Sequence, residues 1–232
     1  MTRSSAVLAV LLLASPALAD EEGARVHTDW PYLARYHEQN LALLASGKKA
    51  EVVFMGDSIT EGWIEKRPGF FSDGRVDRAI SGQTSPQMLV RFRQDVIELH
   101  PKAVHIMTGT NDIGGATGPM TAEMTEANIM SMVDLARANG IKVILASIPP
   151  ADHFFWRPGL ETAPKIAAIN DWMKAYAARQ HLVYADYWSA MQDGRGGMKA
   201  GLASDGVHPT EQGYDIMAGV AEAALKKALD GK

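Results

Sequence analysis

The sequence predicts an α/β fold, a three-layer α/β/α sandwich around a parallel five-stranded sheet. Two observations predict it. Short, mostly apolar runs alternate along the chain with longer segments of helical period, and most of these runs stop at glycine, serine or proline. A strand apolar on both faces must be covered on both faces, which a parallel sheet with helices on either side provides.

The elements follow in order. Tyr32–Ser46 reads as a first helix, with Gly47 as the residue after its end. Val52–Met55 is the first strand, closed by Gly56. Asp77–Ile80 is a weaker second strand, closed by Ser81 and Gly82. Pro86–Leu99 is helical until Pro101 stops it. Ala103–Met107 is the third strand, ending at Gly109. In the helix predicted over Thr121–Asn139, Ile129, Met132, Val133 and Ala136 share one face, and Gly140 follows. Ile141–Ala146 is the fourth strand, ended by Pro149 and Pro150. The helix over Ala163–Gln180 lines up Ile166, Ile169, Met173 and Tyr176, and Leu182–Tyr184 begins a short fifth strand. A last helix over Thr210–Leu229 groups Ile216, Met217, Val220 and Ala224. No repeat or long linker interrupts the pattern, so a single domain over residues 20–232 is expected.

Composition narrows the function. The chain has 232 residues, no cysteine and a formal charge of −4. Disulfides and thiolate metal sites are excluded, and nucleic-acid partners are not expected without a basic cluster. The start resembles a cleavable secretory signal: Arg3, an apolar run from Ala6 to Ala14, then Ala17 and Ala19 at the small positions before Asp20. The run is too short to span a bilayer, and no cysteine follows it to carry a lipid. The expectation is a periplasmic or secreted protein without a stable membrane anchor. Nothing in the sequence sets its oligomeric state.

In an open parallel sheet the loops at the carboxyl ends of the strands form the ligand crevice. Here they are Gly56-Asp57-Ser58-Ile59-Thr60, Ser81-Gly82-Gln83-Thr84, Gly109-Thr110-Asn111-Asp112 and, before the last helix, Asp205-Gly206-Val207-His208-Pro209. Acyl transfer needs a nucleophile, a base, an orienter for the base and donors for an oxyanion. Ser58 stands where a helix begins and offers both a hydroxyl and a backbone N–H. His208 is a candidate base, and Asp205, three residues earlier, can fix its tautomer. Gly82, lacking a Cβ, lets its N–H approach a substrate oxygen closely, and Asn111 adds a side-chain donor.

These four segments resemble the four sequence blocks of the SGNH/GDSL hydrolase superfamily. The serine block is Gly56–Thr60, the glycine Gly82, the asparagine Asn111, and the last block Asp205–Pro209. Around residues 81–118 the chain is similar to bacterial members related to platelet-activating-factor acetylhydrolase and carbohydrate acetylesterases. The resemblance implies a flavodoxin-like sheet in the order 2-1-3-4-5, with Ser58, Asp205 and His208 catalytic and Ser58, Gly82 and Asn111 forming the oxyanion hole. It also implies ester hydrolysis without a metal or other cofactor. Ile59 replaces the leucine of the family name, a common variation. The Gly-x-Ser-x-Gly elbow of the α/β-hydrolase fold is absent, because Thr60 holds the place of its second glycine.

Other residues carry weaker signals. Asp57 and Asp112 read as loop stabilisers rather than acids, and His105 as a core residue. The loop from Pro149 to Leu160 holds His153, Phe154, Phe155 and Trp156. His153, Phe154 and Trp156 are candidate pocket residues, as is Trp63, each weighed evenly against a place in the packing. The expected function is hydrolysis of short acyl esters, with acetyl groups on a small molecule or carbohydrate favoured. The alternatives are a lysophospholipase or thioesterase, a metal-dependent phosphoesterase using Asp57, Asp112, Asp205 and His208, and a non-catalytic carbohydrate-binding protein.

Overall fold

The computed structural model describes residues 28–230; the expected signal segment, Met1–Ala19, lies outside them. The sheet is formed by β1 (Val52–Met55), β2 (Arg75–Asp77), β3 (Ala103–Ile106), β4 (Lys142–Ala146) and β5 (Val183–Ala185). All neighbours run parallel, in the order β2-β1-β3-β4-β5. The five-stranded parallel sheet, its order and its helical layers are those expected. The helices are α1 (His37–Ala45), α2 (Ser58–Lys66), α3 (Ser85–Asp95), α4 (Thr110–Gly114), α5 (Ala122–Ala138), α6 (Thr162–Arg179), α7 (Tyr187–Met191) and α8 (Glu211–Asp230). Every residue of β1 and β3 is buried, so side chains of both faces enter the core and the strands read as unbroken apolar runs. Among the described residues no helix is long and apolar enough to cross a membrane.

Helix starts follow side-chain chemistry. Asp57 caps α2 by accepting from Ile59 N–H at 3.0 Å. Thr84 and Gln87 form a capping box at α3, with Pro86 in its first turn. Thr121 caps α5. Such caps contribute about 1 kcal/mol each.

Three boundaries differ from the sequence reading. β2 pairs earlier, at Arg75–Asp77. The chain stays extended beside β1, with Arg78 N–H donating to the Phe54 carbonyl and Ile80 N–H to that of Gly56. The Asp77 carboxylate, however, accepts from Ala79 N–H at 2.9 Å and turns the backbone out of the regular ladder. The first helix starts only at His37. Before it, the Asp29 carboxylate binds the Leu33 and Ala34 N–H groups, and Tyr32 takes a left-handed φ of 60°, which a helix cannot contain. The predicted Pro86–Leu99 helix is α3 followed by a separate turn at Ile97–Leu99.

The connection after β1 leads to β2 on one side, and the connection from β2 leads back across to β3 on the other. The carboxyl ends of β1 and β3 are therefore the switch point where an open α/β sheet leaves a crevice. Ser58 follows β1 and Asn111 follows β3.

Candidate active site

Ser58 is the first residue of α2. Its N–H is one of the helix-start donors that have no partner within the helix. Gly56 is required by packing: a Cβ there would stand 2.2 Å from Thr60 Oγ1. Asp57 lies beneath, almost fully buried, and is spent on its cap. Burial raises its pKa to about 6, against the pull of Ile59 N–H and of the His208 charge.

His208 arrives from the turn before α8. Its Nδ1 is 2.7 Å from Asp205 Oδ2, and its Nε2 is 2.9 Å from Ser58 Oγ. An ionised carboxylate can only accept, so Nδ1–H donates to Asp205 and Nε2 is left to accept from the serine hydroxyl. Asp205 Oδ1 also accepts from Val207 N–H at 3.0 Å and from His208 N–H at 2.8 Å. Partial burial disfavours the Asp205 carboxylate. The bonds from His208 and Val207 outweigh that and hold its pKa below the usual carboxylate range. The pair is thus poised with the acid ionised and the ring oriented toward Ser58.

On the other side, Asn111 is buried at the start of α4, and its Nδ2 donates to the Gln83 carbonyl at 3.0 Å. The Asn111 side chain thereby ties the β3 loop to the β2 loop beside Gly82. Gly82 is exposed, with open space where a Cβ would stand; its φ of 78° requires glycine. Asp112 is buried and accepts from Ser85 N–H and Oγ and from Thr125 Oγ1, so it holds α4 to α3 and α5. With Asp57 and Asp112 so engaged, no three metal-ligating side chains converge among the described residues.

The profile of the GDSL-like lipase/acylhydrolase family matches residues 54–216. The chain belongs to this family. Two solved Bacteroides structures resemble this GDSL hydrolase closely. One, a GDSL-like lipase of Bacteroides thetaiotaomicron, is 44% identical, with a TM-score of 0.82 over 87% of this chain and 100% of that one. The other, from Bacteroides fragilis, is 46% identical, with a TM-score of 0.82 over 87% and 99%. Esterase TesA of Pseudomonas aeruginosa is 29% identical over 73% of this chain and 85% of its own. The protein is accordingly a carboxylic-ester hydrolase.

Two pocket candidates of the GDSL hydrolase need correction. Trp63 has no exposure. It stacks on Phe70 at 4.3 Å and lies against Tyr214 and Phe54, because it falls on the inner face of α2, five residues beyond Ser58. Phe154 is buried too, stacked on Trp156 at 4.7 Å. It anchors the loop instead of lining a pocket. Phe155, which was not singled out, takes the outer position. It is 58% exposed, and its ring centroid is 6.4 Å from that of His208. Trp156, also 6.4 Å from His208, lies over Gly114 so closely that a Cβ there would meet its Nε1 at 3.0 Å. His153 pairs with Asp152 and covers Gly206, where a Cβ would meet its ring at 2.6 Å. The loop after β4 therefore walls the His208 side of the GDSL site through Phe155, Trp156 and His153.

Sequence reasoning missed the groups that hold the two halves together. Tyr214 of α8 donates its hydroxyl to the Ile59 carbonyl at 2.8 Å, and Gly62 makes room for it: a Cβ would meet that oxygen at 2.8 Å. Arg67 at the end of α2 binds Asp215 in a two-pronged pair at 2.7 and 2.8 Å. The helix that follows His208 is thus fastened to the helix that begins with Ser58. The chain carries no local signal for this, since the partners are 148 and 155 residues apart.

Proposed function

We propose that Ser58 is the nucleophile, His208 the general base and acid, and Asp205 its orienting carboxylate, in hydrolysis of short acyl esters of hydroxylated alcohols. The observation that carries this is the unbroken line from Ser58 Oγ to His208 Nε2 to Asp205, at 2.9 and 2.7 Å. His208 takes the serine proton as Oγ attacks the ester carbonyl. The N–H groups of Ser58 and Gly82 and the Asn111 NH₂ receive the oxyanion. Collapse of the tetrahedral intermediate breaks the bond to the alcohol, which leaves with the proton from His208. A water molecule, deprotonated by the same ring, then attacks the acyl-serine. The second collapse returns the proton to Oγ and frees the carboxylic acid. Every proton is accounted for by one imidazole, so the scheme needs no metal.

Trp156 supports a short acyl group, acetyl above all. It stands over Gly114 of the Asn111 turn with its ring 6.4 Å from that of His208, a bulky wall on that side of the proposed acyl site. Carbohydrate esters are the favoured class, and the signal-like Met1–Ala19 segment supports export to the periplasm or beyond. The test is labelling with a fluorophosphonate and turnover of p-nitrophenyl esters of increasing acyl length. Label on Ser58, its loss in Ser58→Ala and a rate that falls steeply beyond short chains are the expected results. Unlabelled protein would overturn the nucleophile, and a maximum at long chains would move the substrate to lysophospholipids or thioesters.

A further inference from the structure

The loop after β4 is a closed unit that stands on both halves of the active site. Its neck is tied at two points. Ile148 and Asn170 exchange hydrogen bonds at 2.8 and 2.9 Å, and the Thr162 hydroxyl donates to the Ala151 carbonyl at 2.7 Å. Within the loop, Arg157 N–H donates to the Phe154 carbonyl and Leu160 N–H to that of Arg157. The Phe154 ring, buried and stacked on Trp156, gives the loop a core of its own. A loop with close ends and side chains packed on one another holds its shape as a unit.

Two of its side chains reach beyond that unit, to the turns that carry the chemistry. Trp156 stands over Gly114, the last residue of α4, which also holds Asn111. A Cβ at Gly114 would meet the indole Nε1 at 3.0 Å. Gly114 does not have a positive φ, and a helix gains nothing from glycine at such a position. What glycine allows there is the close approach of the indole. On the other half, His153 lies across Gly206, within the Asp205–His208 turn. A Cβ at Gly206 would stand 2.6 Å from its Cε1, 3.1 Å from Nε2 and 3.3 Å from Nδ1. Asp152 fixes the ring from behind, at 2.6 Å from Nδ1. The His153 side chain is 61% exposed, so burial gives little reason for its place on Gly206.

We infer, on the triad reading above, that His153 and Trp156 are positioning residues. The loop holds the Asp205–His208 turn through His153 and the Asn111 turn through Trp156, and so sets the base and the oxyanion donor relative to each other. Tyr214 and Arg67 already fasten the His208 helix to the Ser58 helix. The loop after β4 adds the contact between the His208 turn and the Asn111 turn. Phe155 and Trp156, each with its ring centroid 6.4 Å from that of His208, complete the support on that side of the imidazole. Each residue acts through the turn it stands on, where a small misplacement of a reacting group lowers the rate steeply.

The test is steady-state hydrolysis of p-nitrophenyl acetate, with Tm followed alongside. His153→Ala uncovers Gly206 and should lower kcat at least about fivefold, with KM and Tm little changed. His153→Phe returns a ring to Gly206 without the bond to Asp152 and should restore most of the loss. The low-field proton resonance of His208 Nδ1–H, identified by its absence from His208→Ala, should broaden in His153→Ala and sharpen again in His153→Phe. Trp156→Ala should lower kcat on the acetate ester by a similar factor. A faster rate on longer esters with the acetate rate intact would make Trp156 a wall only and remove its positioning role. Should Trp156→Ala not fold, Gly114→Ala crowds the same contact from the helix and should lower kcat in the same direction. Folded variants with wild-type kcat and an unchanged Nδ1 resonance would overturn the positioning roles and leave the triad intact. Losses that follow Tm and are not restored by His153→Phe would overturn them equally. Wild-type protein inert toward the ester would overturn the triad reading, and the positioning roles with it.

Discussion

Asp205 reaches His208 across three residues of a single turn, whereas Asn111 reaches the Gln83 carbonyl across 28. The first contact is local and wet. Both side chains are about a third exposed, and the turn satisfies itself, with Asp205 accepting from the N–H groups of Val207 and His208. The second is backed by charge in the interior. Gln83 accepts from Arg91 Nε at 2.5 Å, and Arg91 pairs with Asp95 at 3.0 Å with neither side chain exposed. Asp95 in turn accepts from Asn40, which accepts from Arg78. Burial pulls the pKa values of Arg78 and Arg91 down from the usual guanidinium range.

The difference follows from the two tasks proposed for these halves. A base that gains and loses a proton twice per turnover is served by water and by a short turn that fixes one tautomer. An oxyanion hole works by not reorganising as charge develops. Its donors are best held by groups that cannot move, and a buried ion pair inside a hydrogen-bonded network is such a support.

Substitutions can break or sharpen this contrast. The largest effect belongs to His208→Ala, which should cost about 10⁶ in kcat on a short-chain ester, with circular dichroism unchanged. A loss below about 10² would remove His208 from proton transfer. Asp205→Asn should cost about 10⁴, because an amide can leave the ring in the wrong tautomer. Asn111→Ala should lower kcat by about 10²–10³ and move KM far less, since an oxyanion donor acts on the transition state. An equal loss through KM would mean that Asn111 only holds the Gln83 loop.

Arg91→Met tests the buried support. It leaves Asp95 buried without its partner, a change that typically costs about 3–5 kcal/mol, measured by urea denaturation. Adding Asp95→Leu should recover most of that stability, because a well-packed apolar pair can replace a buried ion pair. If the network positions Gln83 and Asn111, kcat of the double variant should stay depressed, by up to about 10². Full recovery of kcat with stability would reduce the network to packing.

The smallest effect concerns pH. Burial holds the Asp77 carboxyl at about 7, against the bond from Ala79 N–H and the nearby Arg78 and Arg91 charges. The folded state therefore keeps a proton that the unfolded state loses near pH 4. This contribution is fully present below pH 4 and is lost as pH rises through about 7. Asp77→Asn should raise Tm at pH 8 relative to wild type and lose that advantage near pH 5. A Tm difference independent of pH would exclude this titration.

Most of the architecture was legible because burial on two faces leaves a plain record. Runs such as Val52–Met55 and Ala103–Met107 have one stable placement, inside a covered parallel sheet. β2 was placed late because the stretch just beyond it, up to Ile80, stays extended beside β1 and ends in apolar residues that read as a strand. The residues that make its ladder, Arg75–Asp77, are polar or only half-buried. Trp63 and Phe154 could not be separated from Phe155 and Trp156 by type. An aromatic ring beside an active-site loop has the same sequence signature whether it turns inward or outward.

By itself the sequence determined the order of elements, the parallel sheet and the four loops at its carboxyl edge. It also determined the local pieces of chemistry, Ser58 at a helix start and Asp205 three residues before His208. Each of these depends on residues adjacent in the chain, where periodicity and turn preference act directly. Tertiary structure alone decided that Ser58 and His208, 150 residues apart, come within 2.9 Å. It decided too that Tyr214 fastens their two helices and that Arg91 stands behind the Asn111 turn. It placed Phe155 at the rim and set Trp156 over Gly114. Such contacts arise from how helices settle on a twisted sheet and which side chains then share a dry interior. They come from packing between distant segments and leave no local pattern in the chain.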